Sequence, residues 1–280
     1  MFLRVLLLIF RVLFGLVFIF SGFVKAIDPL GFAYKIEDYL MVVPFLQSLV
    51  SLSLAAAILI SAIEFLIGVS IVFGVRLKEV SFVGLLFMLV MTPLTLWIAL
   101  KNPVTDCGCF GEALIISNWA TFWKNVVLLV LIIGIILLQK NYHSLLRPLS
   151  QSMLVAYAFL FSICISVYCY LYLPLIDFRP YKIGANIIEG MTIPPDAPQD
   201  EYETTFIYAK NGEEKEFTLE NYPKNDSTWV FVDQKSVLIK KGYVPSIHDF
   251  TIDLPIVGDI TEDVLHDTRY TFLLISYDLG

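Results

Sequence analysis

Five runs of mostly apolar residues, roughly 5–24, 52–74, 80–100, 119–139 and 153–174, fill most of the first 175 positions of the sequence. A helix needs about 20 such residues to cross the hydrocarbon of a bilayer, where every backbone polar group must be bonded within the segment. Each run therefore reads as a transmembrane helix, and the lipid bilayer is the first partner the sequence implies. Composition agrees: 58% of residues are apolar and 16% charged, with a mean hydropathy of +0.76. A soluble domain carries about 25% charged residues to cover its surface. These values exclude an ordinary water-soluble enzyme, and the net charge of −7 argues against a nucleic-acid partner. The first run reads as a span rather than a removable leader. It is long, Arg11 interrupts it, and Phe23 and Lys25 are poor flanks for a peptidase.

Charge divides the chain in two. Residues 1–175 hold ten Lys/Arg and seven Asp/Glu, residues 176–280 nine and nineteen. The first part reads as a membrane body and the second as an acidic, water-facing domain. Arg4, Arg76, Lys78, Lys140 and Arg147 gather on one side of the spans; Lys25, Lys35, Lys101 and Lys124, diluted by carboxylates, fall on the other. By the positive-inside bias the amino terminus is cytoplasmic. Five spans then put both the 101–118 loop and the carboxyl-terminal domain outside the cytoplasmic membrane of a bacterium, in the periplasm. Trp97, Trp119 and Trp123 flank that loop, as interfacial aromatic rings do. Residues 28–50, with Pro29, Pro44, charges and aromatics, read as a short interfacial helix and turn between the first two spans.

The chemistry concentrates in that outer loop, Asn102-Pro103-Val104-Thr105-Asp106-Cys107-Gly108-Cys109-Phe110-Gly111-Glu112. Two thiols separated by one glycine reach each other only across a tight turn, and Gly108 and Gly111 supply the backbone freedom such turns need. A small ring of this kind is strained, and strained, exposed disulfides tend to be labile. An oxidising outer compartment lets them persist. The candidate redox residues are Cys107 and Cys109. Cys109, nearer the next helix and its amide N–H groups, is expected to be the lower-pKa thiol and Cys107 its partner. Asp106 opposes ionisation of Cys107 and is placed to take a proton. The alternatives are a fixed disulfide that staples the loop and a metal site. Two thiolates are half a tetrahedral zinc set, but His143 falls on the other side and no further Cys lies in the loop, so no metal is assigned.

Inside the spans the polar residues are few. Glu64 is a carboxylate deep in the second run, where a charge costs about 2.5–3.5 kcal/mol on insertion. Ala57, Ser61, Glu64 and Gly68 share one helical face, so Glu64 is expected to face the bundle interior. It reads either as a proton acceptor in quinone reduction or as a carboxyl group hydrogen-bonded to a neighbouring helix. Thr92 and Thr95 flank Pro93 and read as a kink whose hydroxyls pair freed carbonyls; with Glu64 they are the candidate quinone-binding residues. Cys164 and Cys169, five residues apart in the fifth run, lie about 140° apart on a helix and cannot pair on one face.

The run Asp106-Cys107-Gly108-Cys109-Phe110-Gly111 before a Trp-rich fourth span, with Phe20-Ser21-Gly22-Phe23-Val24-Lys25 and Met91-Thr92-Pro93-Leu94-Thr95, resembles the MauE branch of the DoxX-like membrane proteins over about residues 1–140. The resemblance implies a four-helix membrane bundle. It also implies a role in thiol–disulfide chemistry outside the inner membrane, beside thioredoxin-like partners or quinone-coupled oxidation. MauE proteins are associated with methylamine dehydrogenase maturation; nothing in this sequence reads as methylamine chemistry.

After Pro174 the periodicity changes. Alternating runs at 203–209, 214–219, 228–233 and 236–240, with Asn211-Gly212 as a hairpin turn, read as a small antiparallel sheet. The order of 247–252, 259–265 and the apolar run 270–277 resembles the opening of a thioredoxin-like domain, whose strand leads to a redox cysteine pair. No Cys follows Cys169 here. A lone strand cannot bury its faces, so either the natural chain continues past Gly280 or 270–277 pairs with the preceding sheet or with another protein.

The sequence therefore predicts a mainly α membrane protein: a four-helix DoxX/MauE-like bundle over 1–140, an inner loop and fifth span over 141–175, an acidic β-rich domain over 176–242 and a thioredoxin-like start over 243–280. The function expected is thiol–disulfide oxidoreduction through Cys107 and Cys109, with quinone as the candidate cofactor or a thioredoxin-like protein as partner. The competing expectation is a non-catalytic accessory subunit of a larger envelope complex, with the pair a structural disulfide.

Overall fold

The first helix sets the architecture, because its small residues let another backbone approach closely. The computed structural model describes the chain except positions 1, 43, 102–107, 143, 145, 200, 211–212, 219–220, 222, 224–227, 241, 246, 249, 270 and 273–280. Helix α1 (Phe2–Ile27) is followed by α2 (Pro29–Val42), a 3-10 helix (Pro44–Leu52), α3 (Ser53–Phe73), α4 (Leu77–Lys101), α5 (Asn118–Leu138) and α6 (Pro148–Leu171). Among the described residues five helices are long and apolar enough to cross a membrane, with bounds close to the five apolar runs. The protein is multi-pass, and its environment is a lipid bilayer. The chain forms two compact units, Met1–Arg179 and Pro180–Gly280.

In the first unit α1 packs on α3, α3 on α4, α4 on α5 and α5 on α1, which closes a four-helix ring; α6 lies against α3 and α1. Without a hydrophobic drive between helices in lipid, such contacts rest on close packing and small residues. At the α1–α3 crossing, a Cβ added to Gly22 would meet the Phe65 nitrogen at 2.5 Å and the Ser61 carbonyl at 2.8 Å; one on Gly68 would meet the Ile19 nitrogen at 2.6 Å. These contacts are to backbone, which cannot step aside. Gly22→Val should therefore cost about 3 kcal/mol or more, above the usual range for an overpacked core. Gly84→Ala, whose Cβ would meet side chains alone, the nearest being the movable Ile132 Cδ1 at 3.3 Å, should be nearly neutral. Thermal melting in detergent checks this; equal melting of the two variants would contradict the crossing. Phe14 and Phe18, stacked at 4.3 Å, fill the ring with Ile67, Ile71, Met88, Leu128, Ile132 and Ile135.

Arg11, the charge inside the first apolar run, has a structural use. Helix α3 ends at Gly74 (φ +67), leaving carbonyls without intrahelical donors. Arg11 Nε donates to the Ile71 carbonyl at 2.9 Å and a terminal nitrogen to that of Val72 at 2.8 Å. Its guanidinium lies 4.7 Å from the Tyr142 ring centroid. In α4, Pro93 removes the donor that the Leu89 carbonyl would use. The Thr95 hydroxyl donates instead to the carbonyls of Met91 and Thr92, at 3.0 and 3.1 Å. The Thr92 hydroxyl is buried with no hydrogen-bond partner among the described residues. The expected repair of the proline gap by both hydroxyls is thus not what forms.

The second unit is β-rich. Strands β1 (Glu201–Lys210), β2 (Glu213–Thr218) and β3 (Val230–Lys240) form an antiparallel sheet in the order β2-β1-β3. The runs expected as two strands, 228–233 and 236–240, are one strand. Asp233, Gln234 and Lys235 stay extended because they pair with Ile207, Phe206 and Thr205, with a register shift beside Tyr208. Phe206, Tyr208, Phe217, Trp229 and Phe231 form a chain of edge-on ring contacts across the three strands. Helix α7 (Ile187–Met191) precedes the sheet. A two-stranded ladder, β4 (Asp253–Leu254) with β5 (Gly258–Asp259), and the short α8 (Thr261–Leu265) follow it. Asp259 accepts from the hydroxyl and amide of Thr261, which holds its carboxyl below the ordinary aspartate range. The described part of 243–280 does not establish the thioredoxin-like start, and most of the expected strand at 270–277 lies outside the described residues.

Candidate functional site

The α1–α3 crossing brings two charges together inside the ring. Lys25, near the end of α1, and Glu64, in the middle of α3, are each only 4% exposed. Lys25 Nζ lies 2.8 Å from both carboxylate oxygens of Glu64. The Ser21 hydroxyl, one helical turn before Lys25, lies 2.8 Å from Glu64 Oε2 and 2.8 Å from the Cys109 carbonyl. Ser21 thus ties the buried ion pair to the cysteine loop. The expectation for Glu64 is met in direction: Ala57, Ser61, Glu64 and Gly68 are all buried. Its partner, however, is a lysine that the sequence reading had counted among the loop charges.

The described part of the loop is a tight turn. The Gly111 amide donates to the Gly108 carbonyl at 3.1 Å, and both glycines take positive φ, +65 and +53. Cys109 and Phe110 are the two residues spanned. Phe110 is buried, 5.4 Å from the Phe20 ring, and Lys124 Nζ lies 4.3 Å from its centroid. Cys109 is half-buried. It does not sit at a helix N-terminus as expected: a 3-10 turn at Gly111–Ala113 follows it, and α5 begins only at Asn118, where Ser117 accepts from the Ala120 amide. The expected thiol-lowering by helix amides therefore lacks its helix. Cys107 and Asp106 lie outside the described residues. Cys169 is buried on α6 and Cys164 is exposed, as their angular separation requires.

Beneath the turn lies a cavity of about 220 Å³. Phe18, Phe32, Phe87, Met88 and Met91 supply much of its apolar lining. Its polar lining is Ser21, Lys25, Tyr39, Glu64, Thr95, Cys109, Lys124 and Asn125. Thr95 accepts from Asn125 Nδ2 at 3.1 Å, linking α4 to α5 at the wall. Of the candidate quinone residues, Glu64 and Thr95 line the cavity and Thr92 does not. Sequence reasoning missed Ser21, Lys25, Lys124 and Asn125 as site residues. A signal existed for two of them: Ser21 and Lys25 are four apart on one helical face. Among the described residues no group of three or more His, Cys, Asp or Glu is arranged to hold a metal ion.

These features define a class: a multi-pass helical membrane protein whose bundle encloses an ion-paired cavity under a cysteine-bearing loop. The model of the family described as methylamine utilisation protein MauE matches residues 3–138, the stretch that holds α1 to α5, and over that stretch the chain is similar to that family. A second family model, a domain of unknown function (DUF8463), matches residues 202–241, the three-stranded sheet. No curated protein and no solved structure matched the chain.

Proposed function

We propose that the membrane body carries out thiol–disulfide exchange at Cys107 and Cys109, with the cavity beside Cys109 as the seat of a lipid-soluble quinone. The observation that carries this reading is the shared wall: Cys109 lines the same small cavity as the buried Lys25–Glu64 pair. The residues fit such a group. Aromatic and methionine side chains suit a flat ring, and a volume below the range of about 300–1,000 Å³ for drug-sized ligands suits a head group alone. Bound there, a quinone would supply a sink for the two electrons and two protons that leave a pair of thiols as the S–S bond forms.

The chain's own residues hold the geometry and move the protons. Cys107 and Cys109 form and break the disulfide, with the thiolate as the attacking species. Asp106 is placed in sequence to take a thiol proton. The Ser21 hydroxyl, with one proton to donate, lies within reach of both the Cys109 carbonyl and the Glu64 carboxylate, and the ion pair keeps that carboxylate fixed.

The loop is read as facing the periplasm. Lys25 is buried in an ion pair and Lys124 lies on the cavity wall, so neither is a loop charge, and the excess of Lys/Arg on the opposite side is sharper than the raw sequence suggests. Thiol trapping tests the reading. The reduced protein, given a substituted benzoquinone without oxygen, should lose two reactive thiols per chain, those of Cys107 and Cys109. Both thiols staying reactive would refute it.

A second reading keeps the pair as a structural disulfide in an accessory subunit of an envelope complex. The order β2-β1-β3 favours it to this extent: β2 and β3 are sheet edges, and edges are templates for pairing with another chain.

A further inference from the structure

The polar groups around the cavity mostly answer one another. Lys25 and Glu64 are paired, Ser21 engages Glu64 and the Cys109 carbonyl, and Asn125 donates to Thr95. Lys124 is different. It stands in the second turn of α5, half-buried, with three N–H donors and no acceptor capacity. Its ammonium rests on the Phe110 ring and makes no hydrogen bond or ion pair with a described residue. With Glu64 matched to Lys25, the described lining carries the unmatched positive charge of Lys124. A half-buried ammonium at a cavity wall, with no acceptor among the described residues, calls for one from whatever enters the cavity.

We propose that Lys124 is the residue by which the cavity recognises its occupant, donating to a carbonyl oxygen on the ring of the molecule bound there. This rests on the quinone reading above and adds its selectivity. A site built to bond an oxygen should reject the same ring without it far more strongly than an apolar pocket could. The Phe110 contact gives Lys124 a second consequence. The ring it covers belongs to the residue following Cys109, so the same side chain that meets the ligand also packs on the cysteine turn.

The test uses the full chain in nanodiscs of neutral phosphatidylcholine, titrated with a decyl-tailed benzoquinone fully substituted so that thiols cannot add to the ring, and carbon-13 labelled at the carbonyls. Wild type should bind it and lower its carbonyl infrared stretch relative to empty discs. Lys124→Met, which keeps the apolar stem over Phe110, should lose that shift and bind about tenfold to a hundredfold more weakly, the effect of one charged hydrogen bond. Lys124→Arg should keep the shift, and Lys101→Met should behave as wild type. An alkylbenzene of the same tail without ring oxygens should bind Lys124→Met more tightly than wild type, whose ammonium it would leave without an acceptor. Equal carbonyl shifts in wild type and Lys124→Met would overturn this inference and leave the quinone reading standing. No binding to wild type would overturn both. Displacement of the quinone by phosphatidylglycerol in wild type but not in Lys124→Met would show that the lysine holds a lipid phosphate, and would also overturn it.

Discussion

Lys25→Met, which leaves the Glu64 carboxylate buried beside no ammonium, is expected to destabilise the membrane body by about 3–5 kcal/mol. The basis is the depth of the pair: both residues are 4% exposed, and Lys25 Nζ is 2.8 Å from each carboxylate oxygen. Removing one partner of a buried pair exposes the whole desolvation cost of the other, whereas removing both returns an apolar contact. Glu64→Leu should therefore be about as damaging as Lys25→Met, while Lys25→Met with Glu64→Leu should recover much of the loss. Such non-additivity is the mark of groups that act together. Thermal melting of the four proteins in one detergent measures it. Additive losses would mean that the pair is not the unit described, and that Ser21 holds the Cys109 carbonyl without its help.

The second large effect concerns the thiols. A disulfide needs both sulfurs, so Cys107→Ser and Cys109→Ser should each abolish quinone-dependent thiol loss as fully as the double substitution does. The singles and the double should fall together to the background rate. Cys164→Ser and Cys169→Ser should match wild type, since the first is exposed on α6 and the second is buried away from the cavity lining. Anaerobic quinone reduction, followed by absorbance, reads all five variants. A Cys107→Ser chain that still reduces quinone at the wild-type rate would remove the pair from the chemistry.

The helical part of this fold was legible because the bilayer imposes one length. The five apolar runs and the five long helices differ by only a few residues at their ends. Glu64 was also legible as inward-facing, because it shares one face of α3 with Ala57, Ser61 and Gly68. Its partner was not. Lys25 is 39 positions away, and only the approach of α1 and α3 through Gly15, Gly22 and Gly68 brings it opposite. Its place at the end of a span made it read as a flanking charge instead. Lys124 was lost for the same reason, being counted for topology although it points at the cavity. In the second unit the polar pair Gln234 and Lys235 separates the alternating runs 228–233 and 236–240 in the sequence. It remains strand because β3 is exposed from Val230 to Val237, so polar residues there cost nothing in burial while their backbones pair with β1. The expected helix N-terminus at Cys109 failed because the loop runs on through a 3-10 turn before Ser117 caps α5.

The central claim is that the two loop sulfurs exchange rather than staple, and the midpoint potential of the Cys107–Cys109 couple tests it most directly. Equilibration of the protein in lipid with thiol redox buffers, followed by alkylation and mass analysis, gives the value. The account predicts a potential above about −300 mV, where a disulfide is open to exchange; a value well below about −300 mV would mark a structural crosslink and contradict it.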